Sequence, residues 1–197
     1  MIAVLVAAAL GVPTQRAAPR LLPTRAAVSD AYLSVAQNHY LPLAAAQFAI
    51  VRGTADVLAQ QLAQQPQPLD MTHACAMAAT GLVVSGAGGA TWLRYLEHAL
   101  GSGTEPRRVM LKVFADLACW APVVITLNLV SVSLLTGHTF DSALLTAQGN
   151  LPHLWGLEGV IFTPYNVCQF SLIPPEHRPS IKACCSFVFS VAFSLSC

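Results

Sequence analysis

Long runs without charge dominate the pattern of hydrophobic and polar positions along this chain. No Asp, Glu, Lys or Arg occurs between positions 74 and 93, or between 117 and 138. About 20 apolar residues carry a helix across the hydrocarbon core of a bilayer, so both runs are long enough. Helices are expected there because an open strand would leave backbone groups unpaired in lipid. The pattern predicts an all-α, polytopic helical membrane protein.

Prolines, glycines and short polar stretches divide the chain into five predicted helical segments. The predicted bounds are 39–63, 73–100, 109–136, 151–173 and 179–197. The last segment is continuously apolar only from 183 to 197, which is short for a full crossing. We therefore expect four to five transmembrane helices, with both counts open.

The first 35 residues differ from the rest of the chain. Residues 1–12 are apolar but too short to span, and Arg16, Arg20 and Arg25 follow before the first acid, Asp30. An N-terminus with arginines and no acids resembles a mitochondrial targeting segment. We expect residues 1–35 to form a targeting-like segment or a structural arm, and residues 36–197 to form a single helical membrane domain.

Basic residues give the predicted helices an orientation. Nine of the ten Lys and Arg residues fall on one side of the five-helix arrangement, and Arg52 is the exception. These nine are Arg16, Arg20, Arg25, Arg94, Arg107, Arg108, Lys112, Arg178 and Lys182. The positive-inside rule places the N-terminus and these loops in the cytosol-like compartment, which is the matrix in a mitochondrion.

Small residues recur at helical spacing in the second predicted segment. Gly81, Ser85 and Gly89 lie four residues apart, and Gly86 and Ala90 form a second row beside them. Small side chains let membrane helices approach closely, so the pattern predicts tight helix packing through these faces. The alternative interpretation is a stripe of small residues lining a pore.

Four ionisable residues lie inside the predicted spans, namely Arg52, Asp56, Asp116 and Glu158. A charge near mid-membrane costs about 2.5–3.5 kcal/mol on insertion scales, so such residues usually pair or face the protein interior. The four-residue spacing predicts an ion pair between Arg52 and Asp56, and Asp116 follows Lys112 at the same spacing. The alternative is that Arg52, Asp116 and Glu158 line a hydrated path.

Composition excludes several classes of protein. Hydrophobic residues make up 55% of the chain and charged residues 10%, whereas about a quarter of a soluble domain is charged. The net charge of +1 predicts no nucleic-acid partner. The six cysteines form no paired CxxC pattern, so we expect no metal site. No GxSxG, P-loop or HExxH motif occurs, and we expect no catalytic residues, no cofactor and no enzyme activity.

The order of motifs resembles the Mpv-seventeen/peroxisomal membrane protein family of small mitochondrial and peroxisomal membrane proteins. The stretches GTADVLAQQ and QFSLIPPEHR carry much of the resemblance, and the similarity runs from about residue 42 to the end. Asp56, Gly81, Gly86 and Asp116 also fall in register. The further residues that anchor the resemblance are Gln60, Trp92, Tyr95, Lys112, Pro122, Phe170, Pro174 and Arg178.

Several polar and aromatic positions of the family pattern are replaced in this chain. Ala87 stands at the proline of a Gly-Pro turn, Leu117 at a glutamine, and Asn166 and Gln169 at a later Gln and Asn. The resemblance implies a mitochondrial inner-membrane protein, with a peroxisomal location as the alternative. The replaced polar groups favour a non-catalytic structural or accessory subunit of a larger membrane complex. The alternative is a membrane channel or metabolite pore, as proposed for the family.

The expected partners follow from the same picture. We expect membrane lipid around the helices, with an anionic lipid such as cardiolipin at the basic loops, and other membrane subunits beside them.

Overall fold

The computed structural model describes residues 25–63 and 68–194, and they form six α-helices with no strand. The helices are α1 (Arg25–Asn38), α2 (Tyr40–Leu62), α3 (Met71–Leu100), α4 (Pro106–Leu135), α5 (Phe140–Leu172) and α6 (Arg178–Ser194), with a short 3₁₀ turn at Pro175–His177. The all-α prediction is confirmed. Most of the predicted arm, residues 1–24, lies outside the described residues, and α1 crosses the predicted boundary at 35.

Local sequence signals explain where several helices begin. The Asp70 side chain accepts a hydrogen bond from the backbone N–H of His73 at 3.0 Å and caps α3. Pro106 occupies the first turn of α4, where its missing N–H leaves no bond unmade. Thr139 caps α5 by accepting from the N–H of Ser142. The helix starts are therefore encoded locally.

The predicted start of the fourth segment at 151 is wrong, because α5 already begins at Phe140. The helix continues through Gly149, Pro152 and Pro164. Membrane helices tolerate such residues when neighbouring groups satisfy the freed backbone atoms. Helix α5 therefore runs from its cap at Thr139 to Leu172 with these residues inside it.

Two helices contain π-helical segments, Gly81–Gly88 in α3 and Asp116–Trp120 in α4. The second segment directly precedes Pro122, which has no N–H to donate five residues back to the carbonyl of Leu117. Trp155 of α5 supplies a donor instead, with its indole Nε1 2.8 Å from that oxygen. The neighbouring helix α5 thus supplies the hydrogen bond that Pro122 cannot give to the Leu117 carbonyl.

Helices α2 and α3 approach closely at two glycines. A Cβ added at Gly81 would lie 2.6 Å from the Phe48 carbonyl oxygen, and one at Gly86 would lie 2.6 Å from the Cα of Ala45. Both contacts are with backbone, so a larger residue would force the helices apart. Spacing of five residues, rather than four, aligns these glycines because the segment between them is π-helical.

The bundle keeps a compact interior and exposes a large apolar surface. Met77, Ile125, Leu129, Leu154 and Phe193 are almost fully buried in one core cluster, and a second cluster surrounds Phe170. Large apolar side chains are exposed on the outer faces, as expected for contact with lipid. They include Ile50, Val83, Phe114, Leu145, Val160, Leu172 and Val188.

Three helices among the described residues are long and apolar enough to cross a membrane, namely Tyr40–Leu62, Met71–Leu100 and Pro106–Leu135. The predicted count of four to five is corrected to three on this basis. Helix α5 is long enough, but its Gln, Asn, His and Pro residues lower its hydropathy. Helix α6 has 17 described residues, which is short for a crossing.

Candidate functional site

Ionisable and amide side chains form a continuous series inside the bundle. The helices α2, α3, α4, α5 and α6 all contribute side chains to this series. The described residues that are polar or charged and buried are Arg52, Asp56, Thr80, Lys112, Asp116, Asn128, Glu158, Asn166, Gln169, Arg178, Lys182, Ser186 and Ser190. Four groups of contacts account for most of this series.

The basic-end cluster consists of Glu97, Lys112 and Arg178. The Nζ of Lys112 lies 2.6 Å from Oε1 of Glu97, and the Arg178 guanidinium binds the same oxygen through Nη1. Both cations are almost fully buried and also lie over the ring of Phe170, at 5.6 and 5.2 Å from its centroid. One carboxylate therefore balances two cations contributed by α4 and α6.

The central cluster consists of Trp92, Asp116, Asn166 and Lys182. Asp116 is 2% exposed and accepts hydrogen bonds from Trp92 Nε1 at 3.0 Å and Asn166 Nδ2 at 2.6 Å. The Nζ of Lys182 lies 3.4 Å from Oδ2 of the same carboxylate. Charge-assisted hydrogen bonds of this kind stabilise a buried carboxylate, and here they join four helix segments.

The central cavity lies next to the central cluster, with which it shares Lys182, and has a volume of about 50 Å³. Its polar lining comes from Arg52, Ser85, Asn128, Glu158, Lys182, Ser186 and Ser190. Arg52 donates to Ser85 Oγ at 3.1 Å, and Asn128 Nδ2 donates to the same oxygen at 3.2 Å. Glu158 is 6% exposed and forms no hydrogen bond with the described residues.

The far-end cluster consists of Asp56, Gln60 and His73. Asp56 is fully buried and accepts from Gln60 Nε2 at 2.7 Å, lies 2.8 Å from His73 Nδ1, and also binds the hydroxyl of Ser194. Gln60 bonds the backbone N–H of Asp70 at 2.7 Å and its carbonyl oxygen at 3.0 Å. This cluster closes the hairpin between α2 and α3.

The predicted partners of the buried charges differ from those in the structure. Lys112 binds Glu97, whereas its neighbour Asp116 binds Lys182 and two neutral donors. The helix between Lys112 and Asp116 is regular, because the Asp116 N–H donates to the Lys112 carbonyl oxygen, so the neighbouring helices determine which partner each side chain binds. Arg52 reaches Ser85 and the Met77 sulfur at 3.6 Å, and Asp56 binds the far-end donors.

The predicted packing residues divide between two faces of α3. Gly81 and Gly86 lie against the backbone of α2, and Ala90 is buried beside Tyr40 and Ala44. In contrast, Ser85 and Gly89 line the central cavity, and a Cβ added at Gly89 would meet nothing within 4 Å. The four-residue row therefore splits into a packing face and a cavity face.

The remaining residues that anchor the family resemblance lie around this series. Trp92 stacks between Tyr95 and Trp120, with ring centroids 5.6 and 5.5 Å away, and Tyr95 itself is 59% exposed. Pro122 follows the π turn of α4, and Pro174 precedes the short turn before α6. These two prolines take no direct part in the polar contacts described above.

Sequence reasoning missed Glu97, Asn128, Asn166 and the inward direction of Lys182. Glu97 had a usable signal, because it lies between Arg94 and the basic residues at 107, 108 and 112. An acid among so many cations is a natural counter-ion when the helices fold back on each other. Asn166 stands at a polar position of the family pattern, but no comparable signal marks Asn128, whose burial depends on tertiary packing.

Comparison with known proteins gives relatives at low identity. The chain is 26% identical over 138 residues to an Mpv17-like protein of Xenopus laevis, covering 70% of this chain and 66% of the relative. It is 27% identical over 130 residues to an Mpv17-like protein of Bos taurus, covering 66% and 64%. It is 27% identical over 132 residues to protein sym-1 of Neurospora crassa, covering 66% and 75%.

These matches span about two thirds of the length of the first two curated relatives. No family model matches the chain, and no solved structure matches it either. The relatives agree with the resemblance drawn from the motifs and support a divergent member of the Mpv17 (Mpv-seventeen) family.

Proposed function

Because the chain is a divergent member of the Mpv17 family, we propose that it provides a hydrated polar path for small solutes across an organelle membrane. The observation that carries the proposal is the central cavity, which is lined by Arg52, Glu158 and Lys182. Intramembrane charges are costly, so their presence around a cavity favours a role in binding or passage. In this proposal the protein is not an enzyme.

The arrangement of the polar groups supports a path rather than an isolated site. The basic-end and central clusters lie on one side of the cavity and the far-end cluster on the other, so polar groups occur at successive depths along the bundle. The cavity of about 50 Å³ exceeds the roughly 10–15 Å³ that one water requires. Ser190 lines it with a buried hydroxyl that has no partner among the described residues. A water molecule is the natural partner of such a group.

Reconstitution of the full chain into planar bilayers tests this function. We expect ion conductance, and we expect Glu158→Gln to change it because the substitution alters a polar group on the cavity wall. Asp141→Asn is the matched control, since this exposed carboxylate at the start of α5 lies outside the cavity. Silent bilayers across a wide voltage range, or equal effects of the two variants, would contradict the proposal.

A second function, that of a non-catalytic accessory subunit of a larger complex, is favoured by a different observation. The carboxylates of Asp56 and Asp116 are each held by three side chains, and the cavity admits little more than water. Carboxylates whose hydrogen bonds are already made within the protein suit a rigid structural role. Native gels after mild detergent extraction distinguish the two functions: a subunit migrates with a large complex, whereas a free monomer or small oligomer counts against it.

For the location, we propose the mitochondrial inner membrane, with the peroxisomal membrane as the alternative. Support comes from the arginines at 16, 20 and 25 and from the absence of acids before Asp30. Fractionation of cells that express the full chain tests this location. Recovery in peroxisomal rather than mitochondrial membranes would overturn it.

A further inference from the structure

A second cavity of about 300 Å³ opens at the basic end of the bundle, apart from the central cavity. We call it the basic-end cleft. Its polar lining consists of Gln37, Tyr40, Arg94, Glu97, Ser102 and Arg178. The cleft lies where α1 meets α2, where α3 ends and where α6 begins. Two of these helix ends, the start of α2 and the end of α3, are ends of candidate membrane spans.

Two guanidinium groups in the cleft have unused hydrogen-bond donors. The Arg94 guanidinium lies over the ring of Tyr40, with Cζ 4.1 Å from the centroid, and it forms no hydrogen bond or ion pair with the described residues. Arg178 uses Nε for the Ile173 carbonyl at 2.9 Å and Nη1 for Glu97, and its Nη2 bonds none of the described residues. Arginine presents such donors in a planar fork that matches phosphate oxygens.

The balance of charge in the cleft is positive. Glu97 is the one acid in the lining, and Lys112 and Arg178 already bind its carboxylate. Counting Arg94, three cations face one anion at this end. An anionic group entering the cleft therefore meets a net attraction rather than the repulsion of an exposed carboxylate.

The rest of the lining is apolar, because Ala36, Leu93 and Pro175 complete the wall. An apolar wall beside cationic donors at the level of the headgroups suits an amphipathic anion better than a fully hydrated one. We propose that the basic-end cleft binds the phosphate of an anionic phospholipid headgroup, with Arg94 and Arg178 as its donors. The lipid then ties α3 to α6 at the basic end.

Lipid titration of the purified full chain in detergent micelles tests the site. The probes are cardiolipin, phosphatidylcholine and inorganic phosphate, and the readout is the apparent affinity from the shift in unfolding temperature. We expect cardiolipin to bind in preference to phosphatidylcholine and Arg94→Gln to weaken it about tenfold, as expected for loss of a charge-assisted hydrogen bond. Arg107→Gln is the control, because Arg107 is exposed at the same end but lies outside the cleft.

Each other result overturns the proposal. Equal weakening by Arg94→Gln and Arg107→Gln would reduce the effect to general attraction by basic loops. Equal binding of the two lipids would exclude recognition of the anion. Binding of inorganic phosphate as strong as that of cardiolipin, and equally dependent on Arg94, would assign the cleft to free phosphate. Arg94→Lys gives a second measurement, because it keeps the positive charge but loses the planar pair of guanidinium donors. Wild-type affinity of this variant for cardiolipin would exclude bidentate recognition of the phosphate by Arg94.

Discussion

Each end of the bundle has one carboxylate at the centre of its contacts, but the two carboxylates are held in different ways. At the basic end, Glu97 on α3 binds Lys112 on α4 and Arg178 on α6, so three helices meet through full charges. At the far end, Asp56 on α2 binds Gln60 on the same helix and His73 at the start of α3. One end is a long-range ionic junction, and the other is mainly the closure of a hairpin.

This difference separates polar contacts that close a hairpin of consecutive helices from polar contacts that join helices distant in sequence. Gln60 also bonds both backbone groups of Asp70, so the far-end cluster fixes a turn that the chain forms between consecutive helices. The basic-end cluster instead consists entirely of contacts between α3, α4 and α6, whereas α6 adds only Ser194 at the far end. The basic end should therefore depend more strongly on its carboxylate than the far end does.

The largest expected effect is that of Glu97→Ala. The substitution leaves the ammonium of Lys112 and the guanidinium of Arg178 buried without their shared counter-ion, and breaking a buried pair in this way costs about 3–5 kcal/mol. The measurement is unfolding in mixed micelles with increasing sodium dodecyl sulfate. Glu105→Ala is the control, because its ion pair with Arg108 is exposed and should contribute less than about 1 kcal/mol. Similar losses for both variants would show that the basic-end junction is not an important tertiary contact.

Residue patterns predicted the helical membrane class, and the start of α3 near His73 follows from the Asp70 cap. They also placed Arg94, Lys112 and Arg178 near one end, where the structure joins two of them through Glu97. What spacing alone could not supply was the choice of partner. The rule that charges four residues apart pair on a helix considers one helix alone, whereas here Lys112 binds Glu97 on α3 and Asp116 binds Lys182 on α6.

Sequence-based prediction also failed at α5 for a physical reason. Gly149 and Pro152 are normally helix breakers, yet they lie inside a helix whose neighbours pack around it. The same dependence on neighbours applies to the candidate site. The sequence places Glu158 inside the predicted helical segment 151–173. The cavity beside it exists only because α2, α3, α4 and α6 leave space there.

A smaller effect is expected for Asp56→Ala at the far end. The substitution removes the acceptor for Gln60, His73 and Ser194, but these donors are neutral groups or a histidine near the end of the bundle, and Gln60 keeps its bonds to Asp70. Unsatisfied neutral groups cost about 1–3 kcal/mol. The same unfolding measurement applies, with Asp141→Ala as the control at an exposed carboxylate. A loss equal to or greater than that of Glu97→Ala would reverse the proposed order of the two ends.

The smallest effect is expected for Trp155→Phe, which tests how α5 supports the π turn of α4. The indole of Trp155 donates to the Leu117 carbonyl in the π turn that begins at Asp116. Phenylalanine keeps most of the ring but removes the donor, so we expect a loss of about 0.5–1.5 kcal/mol. Tyr95→Phe, which changes a polar group on another exposed aromatic residue, is the matched control. If Trp155→Phe is as stable as the control, then the π turn is held by Pro122 and helix packing alone.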